Sequence, residues 1–146
     1  TGDFEDINKG LTTAQAFIDQ GADVILPVAG QVGEGAARAA LDSGTASIIW
    51  VDSDGYDTLS PDFRPVLLTS VLKNTGSAVV EIVKTSIDDT FDNAPFIGTL
   101  ENGGVGIAPF HDLAPRVSAE LSAEIDQLRS DIVAGTIVVT SPSTPR

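Results

Sequence analysis

Few of the side chains in this sequence combine types and spacing that could do chemistry. Ser70-Val71-Leu72-Lys73 matches the S-x-x-K string, in which a serine nucleophile is activated beside a lysine. That chemistry also needs S-D-N and K-T-G partners, and neither string occurs. Asp52-Ser53-Asp54-Gly55 alternates carboxylates as a calcium loop does, but the glycine falls two positions early and no closing Glu follows. Gly30, Gly33 and Gly35 follow an apolar run and open a helical pattern, as a phosphate cradle would. They lack the G-x-G-x-x-G spacing and no G-K-[ST] follows, so the turn has two readings: a tight strand-to-helix connection, or a close backbone approach to a ligand. His111 is the single histidine, and beside Asp112 it reads as a surface loop residue. Asp88 to Asp92 reads as a solvated acidic loop. With no Cys in the chain, disulfides, thiolate metal sites and a Cys nucleophile are all excluded. No nucleophile, base and oxyanion hole assemble, so the expectation is a protein that is not an enzyme, with no metal and no cofactor.

Composition bounds the partners. The chain has 146 residues, 42% of them hydrophobic, with a mean hydropathy of +0.15, enough for one domain with an apolar core. Its net charge of -13 excludes a phosphate-backbone partner, because nucleic-acid binding runs on Lys and Arg, and it disfavours an anionic membrane surface. No apolar stretch approaches the roughly 20 residues of a membrane span. The chain opens at Thr1 and lacks Met, which reads as a piece cut from a longer protein.

The elements that must position these residues alternate between short apolar runs and helical periodicity. Leu11, Ala14, Phe17 and Ile18 lie at helical spacing, with Gly21 after them. Asp23 to Val28 predicts a strand, Ala36 to Leu41 a helix stopped at Gly44, and Ser47 to Val51 a second strand. Val66 to Thr69 predicts a third strand, and Gly76 to Ser86 a helix whose apolar face is Val79, Ile82 and Val83. Two further strands, Phe96 to Leu100 and Val105 to Ala108, flank a hairpin turn at Glu101-Asn102-Gly103-Gly104. A last helix has Pro115 in its first turn and carries Val117, Leu121, Ile125, Leu128 and Ile132 as far as Gly135. Ile137 to Val139 predicts a final strand before a Pro/Ser tail, residues 141–146. The order β-α-β predicts an α/β fold with a parallel sheet. Ligands of such sheets bind beyond the carboxyl ends of the strands. Gly30, Asp52, Asp54 and the Thr69 to Lys73 stretch fall there, and their chemistry suits a small neutral ligand bearing hydroxyls.

Five strings then occur in order: Gly21-Ala22-Asp23-Val24-Ile25, Ala29-Gly30-Gln31-Val32-Gly33, Val51-Asp52-Ser53-Asp54, Leu68-Thr69-Ser70-Val71-Leu72-Lys73-Asn74 and Val105-Gly106-Ile107-Ala108-Pro109. Together they resemble the basic membrane protein family, the purine-nucleoside-receptor type of ABC-transporter substrate-binding lipoproteins. The resemblance implies a parallel-sheet sandwich lobe of a type I periplasmic-binding-protein fold, which closes on its ligand about a hinge. Residues 1–140 then resemble the second, C-terminal lobe, with about 74–90 crossing the hinge to pack on a first lobe. The ligand implied is a nucleoside, purine favoured. Phe4 resembles the aromatic that stacks on the base and Gly30 the backbone contact. Asp52 resembles the carboxylate that accepts from ribose hydroxyls, and Lys73 the cation near the same sugar. The chain departs from the family in having Trp50 where a Gly precedes Val-Asp, and Gly55-Tyr56 where a Gln follows the second Asp.

By resemblance the parent protein delivers nucleosides to an ABC permease, from a lipid anchor on the outer face of the cell membrane or from the periplasm. The isolated lobe is expected to self-associate. Other readings are a sugar or autoinducer-type receptor of the same fold, an α/β enzyme domain, and a regulatory domain of a transcription factor.

Overall fold

The computed structural model describes residues 2–143. Thr1 and residues 144–146 of the Pro/Ser tail lie outside the described residues. The chain divides into two compact units: the residues up to Leu72 together with Ile107–Arg116, and Lys73–Gly106 together with the residues from Val117 on.

The first unit is an α/β layer built on small side chains. Helix α1 is Ile7–Asp19, β1 Val24–Ile25, α2 Val32–Ser43, β2 Ser47–Asp52, α3 Gly55–Thr58 and β3 Leu67–Lys73. A 3-10 turn, Pro61–Val66, precedes β3. Strands β1, β2 and β3 run parallel in that order, with Val24 opposite Ser47 and Ile48 opposite Leu67. Parallel neighbours need a crossover between them, which α2 supplies from β1 to β2 and residues 55–66 supply from β2 to β3.

Helix α2 packs against both α1 and β2. Its alanines, Ala36, Ala37, Ala39 and Ala40, form the core with Ala14, Ile48, Trp50 and Leu67. Such short side chains let α1 and α2 approach backbone to backbone. A Cβ at Gly10 would run into the Val32 carbonyl, and one at Gly35 into the backbone of Ile7 and Leu11. Gly44 ends α2 in the left-handed conformation, as its position predicts.

Strand β1 is shorter than the run from Asp23 to Val28, whereas β3 runs longer than expected, through Lys73. Beyond β3 the sheet takes β4, Val105–Ile107. Ala108 N donates to Ser70 O at 2.8 Å, and Thr69 Oγ1 donates to Ala108 O at 2.7 Å.

The second unit holds α4, Thr75–Ile87, and α5, Ala119–Val133, and neither helix buries a residue. Three expectations are corrected here. Phe96 to Leu100 is not a strand, because Asn102 occupies the backbone groups that a ladder would use: its Oδ1 accepts from Thr99 N and its Nδ2 donates to Ile97 O. Ile137 to Val139 is not a strand either: Ile137 N donates back to Asp131 O of α5 at 3.1 Å, and among the described residues the segment pairs with no strand. The last helix starts at Ala119, where Ser118 accepts from Leu121 N at 3.1 Å, and Pro115 lies in the separate 3-10 turn His111–Arg116.

Candidate functional site

Phe4 is placed by a chain of local hydrogen bonds. The Asp3 carboxylate accepts from Glu5 N at 2.9 Å and Asp6 N at 3.2 Å, and these bonds hold its pKa below the ordinary aspartate value. Asp6 in turn caps α1 through Asn8 N and Lys9 N. Between them the Phe4 carbonyl accepts from Val32 N at 3.0 Å, at the first residue of α2. Gly30 lies against that carbonyl, and a Cβ there would sit 2.9 Å from Phe4 O. The structure therefore brings Phe4 and Gly30 together, and a side chain at position 30 would push the Phe4 backbone away. The Phe4 ring, 72% exposed, stands on a fastened backbone with its faces open for stacking.

Asp52 ends β2, opposite Leu72 of β3, at the carboxyl edge of the parallel strands. Its φ is +68°, and Ser53 N donates to Val51 O across it at 2.8 Å. This is the strained form of a γ-turn, rare for a residue with a Cβ. Such a conformer costs about 1–2 kcal/mol and persists only where its surroundings hold it. Lys73 closes β3 and begins the second unit. There it lines a cavity of about 340 Å³ with Asn74, Thr75, Phe96 and Gly104. Asn74 ties this region together through Gly103 O at 2.6 Å and Gly104 O at 2.9 Å.

The reading of His111 as a surface residue is corrected. Its Nε2 lies 2.7 Å from Asp54 Oδ2, with the two side chains only 23% and 21% exposed. Its ring stacks on Tyr56 at 4.1 Å and 14°. Arg64 sits 4.2 Å from the centre of the Tyr56 ring and donates to the Tyr56 carbonyl at 3.2 Å. The Tyr56 hydroxyl donates to Asp112 at 3.1 Å, and loss of hydration followed by this carboxylate raises the phenol above its ordinary pKa. No local pattern announces this cluster, because Asp54 and His111 are 57 positions apart. The one available signal was a lone histidine in a chain rich in carboxylates.

Trp50 and Gly55, both set apart by the resemblance, pack against each other. Trp50 is buried, and its indole lies against Gly55, where a Cβ would come within 2.9 Å of Cγ. A residue larger than Gly at position 55 cannot accompany the indole without a shift. Among the described residues no group of three or more His, Cys, Asp or Glu side chains could hold a metal ion. No helix there is long and apolar enough to cross a membrane.

A family model described as ABC transporter substrate-binding protein PnrA-like, the Bmp model, matches residues 1–143. The chain belongs to the Bmp family. It is 33% identical to basic membrane protein A of Borreliella burgdorferi over 144 residues, 96% of this chain and 40% of that protein. The chain thus spans well under half the length of this curated Bmp relative.

Among solved structures, a solute-binding protein of an ABC transporter system from Conexibacter woesei is similar with a TM-score of 0.76 at 21% identity, over 96% of this chain and 44% of that one. A transcriptional activator of the comK gene from Bacillus halodurans reaches 0.77 at 18% identity, over 96% and 47%. These likenesses carry the fold, a parallel-sheet α/β lobe of the periplasmic-binding-protein type. Membership of the Bmp family, a family of ABC transporter substrate-binding proteins, rests on the match along the sequence.

Proposed function

We propose that this chain is the ligand-binding lobe of an extracytoplasmic solute receptor that hands a nucleoside, purine favoured, to an ABC permease. The observation that carries the reading is the fastening of Phe4 on Gly30, with the aromatic ring left open. In this reading the base stacks on Phe4, and Gly30 lets the backbone approach the ligand. Asp52 accepts hydrogen bonds from the ribose hydroxyls, and Lys73 supplies a cation near the same sugar. A ring provides contact area for any base, while a carboxylate aimed at hydroxyls rejects analogues that lack them.

The share of its relatives that this chain spans supports a cleft completed by a further lobe. Residues 74–90 are then the segment that packs on that lobe, which accords with an α4 that buries none of its own residues. The net charge of -13 suits a neutral ligand and a protein exposed to solvent outside the cell, lipid-anchored or periplasmic.

The test is a thermal-shift and calorimetry screen of the full-length protein against nucleosides and sugars, since a ligand that binds only the folded state raises Tm. Purine nucleosides should raise Tm, and Phe4→Ala should weaken their binding about tenfold or more, the scale of a lost base–aromatic stack. No shift with any nucleoside at millimolar concentration overturns the proposal. Sugar binding indifferent to Phe4→Ala would replace it with the sugar-receptor reading, and turnover of a nucleoside would replace it with an enzyme.

A further inference from the structure

Asp52 carries a strained backbone, with φ +68° at the end of its strand. The turn is followed at once by hydrogen bonds that reach into distant parts of the first unit. Gly55 N donates to the Ser70 hydroxyl at 3.0 Å, and that hydroxyl lies 3.5 Å from Asp54 Oδ1. The same Asp54 oxygen accepts from Tyr56 N at 3.0 Å, while Oδ2 meets His111. The Ser53 and Thr58 hydroxyls bond to each other at 3.1 Å, and Thr58 donates to Asp54 O at 2.8 Å, closing residues 53–58 into a short loop. His111 itself has φ +41°, a second sterically costly conformation, and it meets Asp54 two residues after Asp52. A short, half-buried hydrogen bond to Asp54 and a ring stack on Tyr56 thus tie His111 to the loop that follows Asp52.

We propose that His111 is a positioning residue for the ligand: through Asp54 and Tyr56 it holds the turn that presents the Asp52 carboxylate to ligand hydroxyls. This rests on the reading of Asp52 as the ribose acceptor, and the experiment separates the two claims. His111 touches no ligand in this scheme. It secures the loop next to the acceptor, so its loss is felt only by ligands that use the acceptor.

The measurement is the Kd of the intact protein for inosine and for 2′,3′-dideoxyinosine, in the wild type and in the Asp52→Asn, His111→Ala, His111→Gln and His111→Ala/Asp52→Asn variants. His111→Ala should weaken inosine about tenfold, the scale of one charge-assisted hydrogen bond, and dideoxyinosine by less than about twofold. His111→Gln, which keeps a donor for Asp54, should recover most of the loss. His111→Ala should add almost nothing once Asp52 is Asn. Equal weakening of both ligands by His111→Ala, or losses that add in the double variant, would mean that His111 only supports the fold, and overturns the inference. If Asp52→Asn fails to distinguish inosine from dideoxyinosine, the ribose assignment itself is wrong and the inference falls with it. A His111→Ala protein that does not fold leaves the decision to His111→Gln: inosine affinity near the wild type supports the role, and equal loss for both ligands overturns it.

Discussion

Asp3 shows how one carboxylate can arrange a neighbour, here Phe4, to which the proposed function assigns the base stack. Ionised, it takes two backbone N–H groups and sets the turn from which the Phe4 carbonyl reaches Val32. Because folding lowers its pKa, its stabilising contribution is present above the ordinary aspartate value of about 3.9 and is lost as pH falls through the lower folded value. An NMR titration should find Asp3 titrating below the ordinary range, with the Glu5 and Asp6 amide shifts following the same curve. Titration at or above the ordinary value would remove the turn as an organiser of Phe4. Asp52 illustrates the converse, a side chain placed at a steric cost that the surrounding loop must meet.

At the scale of elements, the tight packing is between backbones and one large ring. Gly10 and Gly35 bring α1 and α2 together, while Gly55 makes room for Trp50 at the end of β2. Gly55→Ala should therefore destabilise the protein by about 1–3 kcal/mol, the usual cost of overpacking a core. The same change in a Trp50→Leu background should cost clearly less, because the atoms it meets are gone. Urea unfolding of the four proteins provides the cycle, and additive losses would refute the coupling.

Apolar periodicity disclosed β2, α2 and the first helix, since most of their apolar residues pack into one core with the period of their own element. It failed at Phe96 to Leu100 and Ile137 to Val139, where the residues suit a strand but the strand needs a partner. In one case Asn102 had taken the backbone groups, and in the other Ile137 N had turned back to Asp131 O of α5.

For the whole molecule, α4 presents Val79, Val80, Ile82, Val83 and Ile87 to solvent, a continuous apolar stripe that a soluble unit rarely leaves open. The isolated 146-residue chain should self-associate through this helix. Light scattering coupled to gel filtration should find a dimer or larger species at micromolar concentration, and Val79→Glu with Val83→Glu should return it to a monomer. A monomeric wild-type chain would contradict the expectation.

Residue order by itself determined the α/β class, the family, and the four positions Phe4, Gly30, Asp52 and Lys73 as candidates. Apolar period and motif order are local or sequential properties, readable without coordinates. Only the tertiary structure decided that Phe4 rests on Gly30, that Trp50 and Gly55 are one packing unit, and that His111 belongs with Asp54 rather than on the surface. Each of these joins positions on different elements, and hydrogen bonds or van der Waals contacts act over a few ångströms of space, whatever the distance along the chain.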